Sequence, residues 1–239
     1  MRDLSFARLE GSKKEAEHIG RVVGRFGMRS NSLTGDQATE EALRKVHSPR
    51  ILHLATHGFF IPNERMEENA NGLEFFQEAS RSRVSHPMRR SGLALAGAKR
   101  TLDLWSAGKP VDPGNDGILT AEEAGMLDLS DTWLTVLSAC DTGTGVARAG
   151  EGVLGLRRAF AMAGTQNLLL TLWPVSDSFT KDFMVSFYEE ALKTEDAPRA
   201  MAKVQRDRLV KLREERSIGQ AVKLAGPFVL TFRGGLNRN

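Results

Sequence analysis

The chain has 239 residues, of which 41% are hydrophobic and 26% are charged, which are ordinary values for a globular protein. The net charge is only +3 and the basic residues are mixed with acidic ones, so the charge pattern gives no support to nucleic-acid binding. A single cysteine excludes an internal disulfide framework, and neither a signal peptide nor an apolar run of membrane-spanning length occurs. We therefore expect one large α/β domain, soluble and cytoplasmic, without membrane contact.

The first part of the chain predicts helices that alternate with short strands. Ser12 would cap a helix over residues 12–26, because apolar side chains recur there at helical spacing. A second helix is predicted over about residues 36–46, and it leads into an apolar run over residues 50–60. Alternation of this kind is typical of a parallel sheet wrapped by helices.

The middle of the chain is less regular. Residues 61–90 are polar with little periodicity and predict a long surface loop. Residues 91–97 predict a short strand at or near the edge of the sheet, and residues 109–117 predict a loop. Thr120 and Glu123 have the spacing of a capping box that opens a short helix.

The second half continues the alternation of strands and helices. The apolar run 166–173 predicts a central strand, since it lacks the polar alternation of a half-exposed one. Glycines follow the run 133–137, but they lack the Gly-Lys-Ser/Thr ending of a phosphate loop and predict no nucleotide site. The other predicted elements are a strand over residues 133–137, helices over 153–163, 177–193 and 198–213, and a last strand over 228–232.

The candidate nucleophile is Cys140, the only cysteine of the chain. The run 133–137 stops in small and turn-forming residues, so Cys140 would follow the carboxyl end of a buried strand, where open α/β sheets bind ligands. A lone cysteine in this position is equally compatible with an inert core thiol. A base at the end of a neighbouring strand would favour a reactive thiol.

The candidate base comes from the run 50–60, which contains two histidines on the same face of the predicted strand. His53 lies inside the run, a position typical of a hydrogen-bonded core histidine. His57 lies where the run ends, and it is followed by Gly58, whose backbone can approach a substrate closely. If the two runs form adjacent parallel strands, the His57 imidazole can hold Cys140 as the attacking thiolate.

These two segments resemble a known family. His-Leu-Ala-Thr-His-Gly at 53–58 and Leu-Ser-Ala-Cys-Asp-Thr-Gly at 137–143 are similar to motifs of the CHAT family, caspase-like peptidase domains commonly found beside TPR repeats. The resemblance continues in residues 9–16, 33–39, 91–98, 116–123, 150–160, 172–177 and 228–230. It implies a single CHAT domain over residues 1–239, folded as a caspase-like three-layer α/β/α sandwich with a mostly parallel central sheet.

The resemblance also implies an activity. The chain would be a cysteine endopeptidase with Cys140 as nucleophile and His57 as base, without a third catalytic residue, a cofactor or a metal. The backbone N–H groups of Gly58 and Cys140 would stabilise the oxyanion. Asp177 matches a position where related separases place an acidic residue facing a substrate arginine, and Asp141 would line the site. Asp177 equally suits the N-cap of the following helix, and Asp141 equally suits the cap of a turn.

Two departures from the family pattern limit these expectations. Residues 225–227 are Ala-Gly-Pro where the family usually has a tryptophan, and the chain begins at what resembles the interior of a full domain. Its N-terminal part would then come from another chain or be missing from a compact member. The expected partners are a protein or peptide substrate and a TPR-containing or other regulatory protein.

Two other functions are weighed against the endopeptidase. A catalytically silent interaction module would use the same groove to hold a peptide or a partner protein. A small-molecule hydrolase or transferase is disfavoured, because the sequence lacks a Gly-x-Ser-x-Gly elbow, a phosphate loop and a cluster of metal ligands.

Overall fold

The computed structural model describes residues 6, 9–60, 87–112, 114–138, 149–173 and 175–233. Within these ranges, seven strands form two sheets, and eight α-helices surround them. The strands are β1 (Ile51–Leu54), β2 (His57–Phe60), β3 (Ser91–Ala94), β4 (Ile118–Thr120), β5 (Leu134–Leu137), β6 (Asn167–Thr171) and β7 (Phe228–Phe232). The helices are α1 (Glu10–Arg25), α2 (Glu40–Arg44), α3 (Ala98–Ser106), α4 (Ala121–Ala124), α5 (Ala149–Ala163), α6 (Asp177–Thr194), α7 (Ala197–Glu215) and α8 (Ile218–Ala225).

The larger sheet has the strand order β1-β5-β6-β7. β1, β5 and β6 run parallel to one another, and β7 is antiparallel to β6. The expectation of a mostly parallel central sheet is therefore confirmed. β6 lies between two strands and all its residues are buried, as its unbroken apolar run predicts.

Helices cover both faces of this sheet, which gives the expected α/β/α layers. Leu169 of β6 points into a core formed by α1, α6 and α7, whereas its neighbours Leu168 and Leu170 point into a second core formed with α2, α4 and α5. This alternation follows from the two-residue period of a strand. Side chains of both layers are closely packed, and the rings of Phe183 and Phe228 stack at 3.8 Å between centroids.

The run 50–60 does not form the single strand predicted from its apolar character. β1 ends at Leu54, and β2 opens at His57 in a separate antiparallel sheet of order β2-β3-β4. The chain changes sheets because the Leu54 carbonyl accepts the Ser138 N–H at 2.9 Å, whereas the Thr56 hydroxyl donates to the Ala94 carbonyl. Neither bond is visible in the local sequence.

The strand predicted near the sheet edge is also placed differently. β3 lies between β2 and β4, and its four residues are all buried. Gly92 explains part of this packing, since a Cβ there would lie 2.7 Å from the Phe59 ring. The strand β4 and the helices α3 and α8 were not predicted. Of the predicted loop over residues 61–90, residues 61–86 lie outside the described residues, and Pro87–Arg89 forms a 3₁₀ turn.

Several helix ends differ from the prediction. Ser12 lies inside α1, where its hydroxyl donates to the Leu9 carbonyl at 2.8 Å, instead of capping the helix. The helix expected over residues 36–46 is a 3₁₀ turn, Gly35–Gln37, followed by α2, whose N-cap Thr39 accepts the Ala42 N–H at 3.1 Å. The capping box of Thr120 is confirmed. In the described part of the chain, no helix combines the length and the apolar character needed to cross a bilayer.

Candidate active site

The strands that precede the two candidate catalytic residues are neighbours. β1 and β5 pair in parallel, and Leu54 is the partner of Leu137. His57 follows Leu54 by three positions, and Cys140 follows Leu137 by three positions. The expectation of adjacent parallel strands is confirmed, but β1 ends three residues before His57. Cys140 and Asp141 themselves lie outside the described residues.

His57 is the first residue of β2 and pairs with Ala94 of β3. Its side chain is largely buried, with 6% of the residue exposed, and the Phe6 ring lies 5.8 Å from the imidazole between centroids. Gly58 is buried as well and pairs with Leu93. The imidazole therefore sits where the chain passes from one sheet to the other, beyond the carboxyl end of β1.

His53 has the structural role that its position within the run predicts. Its Nδ1 lies 2.9 Å from the hydroxyl of Tyr188, and its Nε2 lies 3.3 Å from Oε1 of Glu15. Burial of Tyr188 and the nearby charge of Glu15 both raise the pKa of that phenol, so it stays protonated and can donate to Nδ1. A hydroxyl that donates to Nδ1 leaves a ring proton of His53 on Nε2, facing the carboxylate.

Glu15 connects this histidine to the end of β5. The hydroxyl of Ser138 donates to Oε2 of Glu15 at 3.1 Å, and Ser138 precedes Cys140 by two positions. Tyr188, His53, Glu15 and Ser138 thus form one polar network inside the protein, here called the Glu15 network. Sequence reasoning missed Glu15, Ser138 and Tyr188. Glu15 gives one signal, because it lies four residues before the buried Ile19 on the core-facing side of α1.

A large cavity opens beside these residues. It has a volume of about 980 Å³ and is lined by α1, α2, β1, the segments 28–39 and 94–99, and the first residue of β2. His53 and His57 both belong to its lining. The candidate base therefore borders a space large enough for a peptide segment.

Comparison with known proteins decides the family. Residues 1–219 match the model of the CHAT domain. The chain belongs to the CHAT domain family. It is also 27% identical over 194 residues to Tetratricopeptide repeat protein 28 of Homo sapiens and 28% identical to the same protein of Mus musculus. Each match covers 77% of this chain but only 7% of the relative, so this CHAT domain spans a small part of the length of those proteins.

Of the two acidic residues predicted to bind substrate, Asp177 is among the described residues of this CHAT domain and Asp141 is not. Asp177 is the first residue of α6, and Ser176 occupies the N-cap without a side-chain hydrogen bond. Asp177 therefore does not take the N-cap position that the sequence made available to it. Its role in substrate binding stays a prediction, and so does that of Asp141.

A second buried carboxylate lies in the same CHAT domain, on α2. The Glu40 side chain is 0% exposed, accepts the Gly117 N–H at 2.6 Å and pairs with Nη2 of Arg44 at 2.5 Å. Burial raises the pKa of Glu40 to about 7, and the charge of Asp116 adds to this rise. Burial also raises the pKa of Asp116, against the lowering effect of its hydrogen bond with Glu40. We call these residues the Glu40 cluster. Among the described residues, no group of three or more His, Cys, Asp and Glu side chains is arranged to hold a metal ion.

Proposed function

We propose that this CHAT domain is a cysteine endopeptidase in which Cys140 attacks the scissile carbonyl and His57 carries the proton. The observation that carries the proposal is the parallel pairing of Leu54 with Leu137. Because His57 and Cys140 follow this pair by the same number of residues, the pairing favours a site shared by both side chains. The family membership supports the same assignment.

The environment of the other histidine supports the choice of His57. Both ring nitrogens of His53 face partners in the Glu15 network, Tyr188 on one side and Glu15 on the other. A general base must be able to take up the proton it removes, and both ring nitrogens of His53 already face partners. Both histidines line the cavity, but His57 lies beyond the end of β1 and outside the Glu15 network.

The reaction proceeds by acylation of Cys140 and then by hydrolysis of the thioester. The Cys140 thiolate adds to the carbonyl carbon of the substrate, and the backbone N–H groups of Gly58 and Cys140 donate to the oxyanion. The C–N bond then breaks, and the amine leaves with the proton held by His57. Water, deprotonated by His57, adds to the thioester and releases the acid and the thiol. Asp177, with Asp141 beside the nucleophile, favours a basic residue before the scissile bond, best as a bidentate arginine contact.

The proposed setting follows from the same residues. A single domain over residues 1–239 acts in the cytoplasm, where the only cysteine stays reduced. Its substrate is a protein or peptide, and a TPR-containing or other regulatory protein controls it. This last element rests on the relatives of this chain, which are named as tetratricopeptide repeat proteins.

The alternative function is a catalytically silent module that holds a peptide or a partner protein. The deep burial of His57, with 6% of the residue exposed, favours it, since a working base must meet its substrate. The two functions predict opposite behaviour of the same thiol, so one measurement separates them.

The test is the alkylation rate of Cys140, whose labelling is unambiguous because the chain has no other cysteine. A chloromethyl ketone with a P1 arginine serves as the probe, and iodoacetamide measures intrinsic reactivity. In an endopeptidase, His57→Ala slows alkylation by about 100-fold or more. His47→Ala is the matched control, because the His47 side chain is 73% exposed, and it leaves the rate unchanged.

Cleavage of a peptide library, read by mass spectrometry, completes the test. The endopeptidase cuts after basic residues, and Asp177→Ala weakens this preference. Equal alkylation rates in the parent and His57→Ala, together with an uncut library, would establish the silent module instead.

A further inference from the structure

Glu15 is a buried charged residue that the proposed reaction does not use. It is 7% exposed and lies on the face of α1 that packs on the sheet, whose apolar members include Ile19 and Val22. An apolar side chain at this position would avoid the free-energy cost of withdrawing a carboxylate from water. The contacts of Glu15 therefore indicate what the charge does.

Tyr188 and His53 hold the carboxylate from one side. Tyr188 is fully buried, and its hydroxyl lies 2.9 Å from Nδ1 of His53, which directs Nε2 of the ring toward Oε1 of Glu15 at 3.3 Å. Within the described ranges, neither Nε2 nor Oε1 makes a hydrogen bond of good geometry, so these two buried atoms depend on each other. This contact occupies one oxygen of Glu15 and leaves Oε2 for another partner.

The other partner is Ser138, the last described residue before Cys140. Its backbone N–H donates to the Leu54 carbonyl at 2.9 Å, and its hydroxyl donates to Oε2 of Glu15 at 3.1 Å. The first bond continues the pairing of β1 with β5, and the second connects the same residue to α1. Together the two bonds hold both the position and the rotation of the chain where it leaves β5.

A small movement of Ser138 changes the position of the thiol. Two residues of extended chain span at most about 7 Å, so Cys140 lies close to Ser138. Misplacing a reacting group by about 1 Å can slow a reaction about 100-fold. A bond that holds Ser138 therefore influences the geometry of attack, although it touches neither the substrate nor the nucleophile.

We infer that Glu15 is a positioning residue for the nucleophile: through the Ser138 hydroxyl, its carboxylate sets the position of Cys140. This role rests on the proposed function, because the position of the thiol matters only where His57 activates it. Glu15 reaches the thiol only through this serine, so the two residues act as one unit.

The test is a double-mutant cycle in the full chain, measured by the alkylation of Cys140 with the chloromethyl ketone that carries a P1 arginine. We expect Ser138→Ala and Glu15→Gln each to lower the rate constant at saturating probe by about tenfold, and the double variant to be no slower than Ser138→Ala. The probe concentration at half-maximal rate stays unchanged, because probe binding is not affected. Independent effects would multiply to about 100-fold, and this result would overturn the inference.

Two further variants separate positioning from a general loss of stability. Ser138→Thr keeps a hydroxyl and retains most of the rate, whereas Ser106→Ala removes an exposed hydroxyl that donates to the Leu102 carbonyl and leaves the rate unchanged. Urea unfolding checks that each variant is folded in the assay. Should Glu15→Gln fail to fold, Ser138→Ala, which removes a single hydroxyl, carries the test, and a rate equal to that of the parent chain would overturn the inference.

The same assay distinguishes a failure of this inference from a failure of the proposed function. If His57→Ala is alkylated as fast as the parent chain, the thiol is not activated and both are rejected. If His57→Ala is slow while Ser138→Ala and Glu15→Gln match the parent chain, the endopeptidase stands and only the positioning role is rejected.

Discussion

Two buried carboxylates lie in helices on either side of β1, and they are held very differently. Glu40 is fixed by Gly117 at 2.6 Å and by the Arg44 guanidinium at 2.5 Å. Glu15 meets Ser138 at 3.1 Å and His53 at 3.3 Å. Because short charge-assisted hydrogen bonds are strong, the Glu40 cluster holds α2 to the residue before β4. The longer contacts of the Glu15 network leave its groups room to adjust, which suits a position two residues before the candidate nucleophile.

The largest effect is expected from removing the Glu40 carboxyl. Glu40→Leu leaves the buried Gly117 N–H without an acceptor and removes the carboxylate partner of Arg44, so the free energy of unfolding falls by about 3 kcal/mol or more. Urea unfolding measures the loss. Glu41→Leu is the matched control, since the Glu41 side chain is 63% exposed and pairs with Lys45, and we expect a change below about 0.5 kcal/mol. Similar losses in the two variants would show that the Glu40 cluster makes no special contribution to stability.

The second-largest expected effect is a change in the stability of the fold with pH. The pKa of Glu40 in the folded chain is about 7, above its ordinary value of 4.5, because burial disfavours the carboxylate and Asp116 and Glu123 repel it more than Arg44 attracts it. The folded chain then binds more protons than the unfolded chain between these values. Stability therefore falls as the pH rises from about 4.5 to about 7, by at most about 3 kcal/mol.

The variant Glu40→Gln isolates this contribution, because glutamine keeps the shape of the protonated acid and does not titrate in this range. We expect the parent chain to lose free energy of unfolding between pH 5 and pH 7.5, and Glu40→Gln to lose less. Urea titrations at both pH values measure the difference. Parallel curves for the two proteins would assign the pH dependence to other groups. The raised pKa of Asp116 acts in the same direction and remains in both proteins.

The Glu15 network gives a smaller loss of stability. Tyr188→Phe removes the hydroxyl that meets His53 Nδ1 and leaves a buried ring nitrogen without a donor, at a cost of about 1–2 kcal/mol. Thermal unfolding measures this change. Tyr188 has no charged bond to lose, so the loss should stay below that of Glu40→Leu. A larger loss from Tyr188→Phe would reverse the contrast between the two carboxylate sites.

The smallest change in stability, but a distinct change in reactivity, is expected from Glu15→Gln. The amide oxygen can still accept from Ser138, but without the charge this bond and the contact with His53 weaken, and Ser138, two residues before Cys140, is held less firmly. We expect thiol alkylation to slow by about tenfold, which corresponds to about 1.4 kcal/mol in the barrier. Glu17→Gln, at an exposed position of the same helix, is the control. An unchanged alkylation rate would confine the network to a structural role.

Much of this fold can be predicted from patterns in the local sequence. The buried run of β6, the capping box of Thr120 and the helices α6 and α7 follow from patterns within a few residues. The break between β1 and β2 could not be predicted, because Ala55 and Thr56 are not turn-forming residues and the bonds that split the strand come from Ser138 and Ala94.

The candidate site, too, has features that the sequence predicts and features that it does not. The separate roles of His53 and His57 follow from their positions in one run, and the structure confirms the hydrogen-bonded role of His53. The partners of His53 could not be predicted, since Glu15 and Tyr188 lie far from it in sequence and no local period links them. Long-range polar pairing depends on how the helices pack on the sheet, which sequence periodicity does not specify.

The pairing of Leu54 with Leu137 also governs when the two candidate catalytic residues can meet during synthesis. The ribosome makes β1 long before β5, and no local contact can substitute for a strand that has not yet emerged. Contacts between such distant positions form late, because closing the intervening chain costs entropy before any bond is gained. The candidate base is therefore made 83 residues before the candidate thiol, and the two can meet only after β1 and β5 have paired.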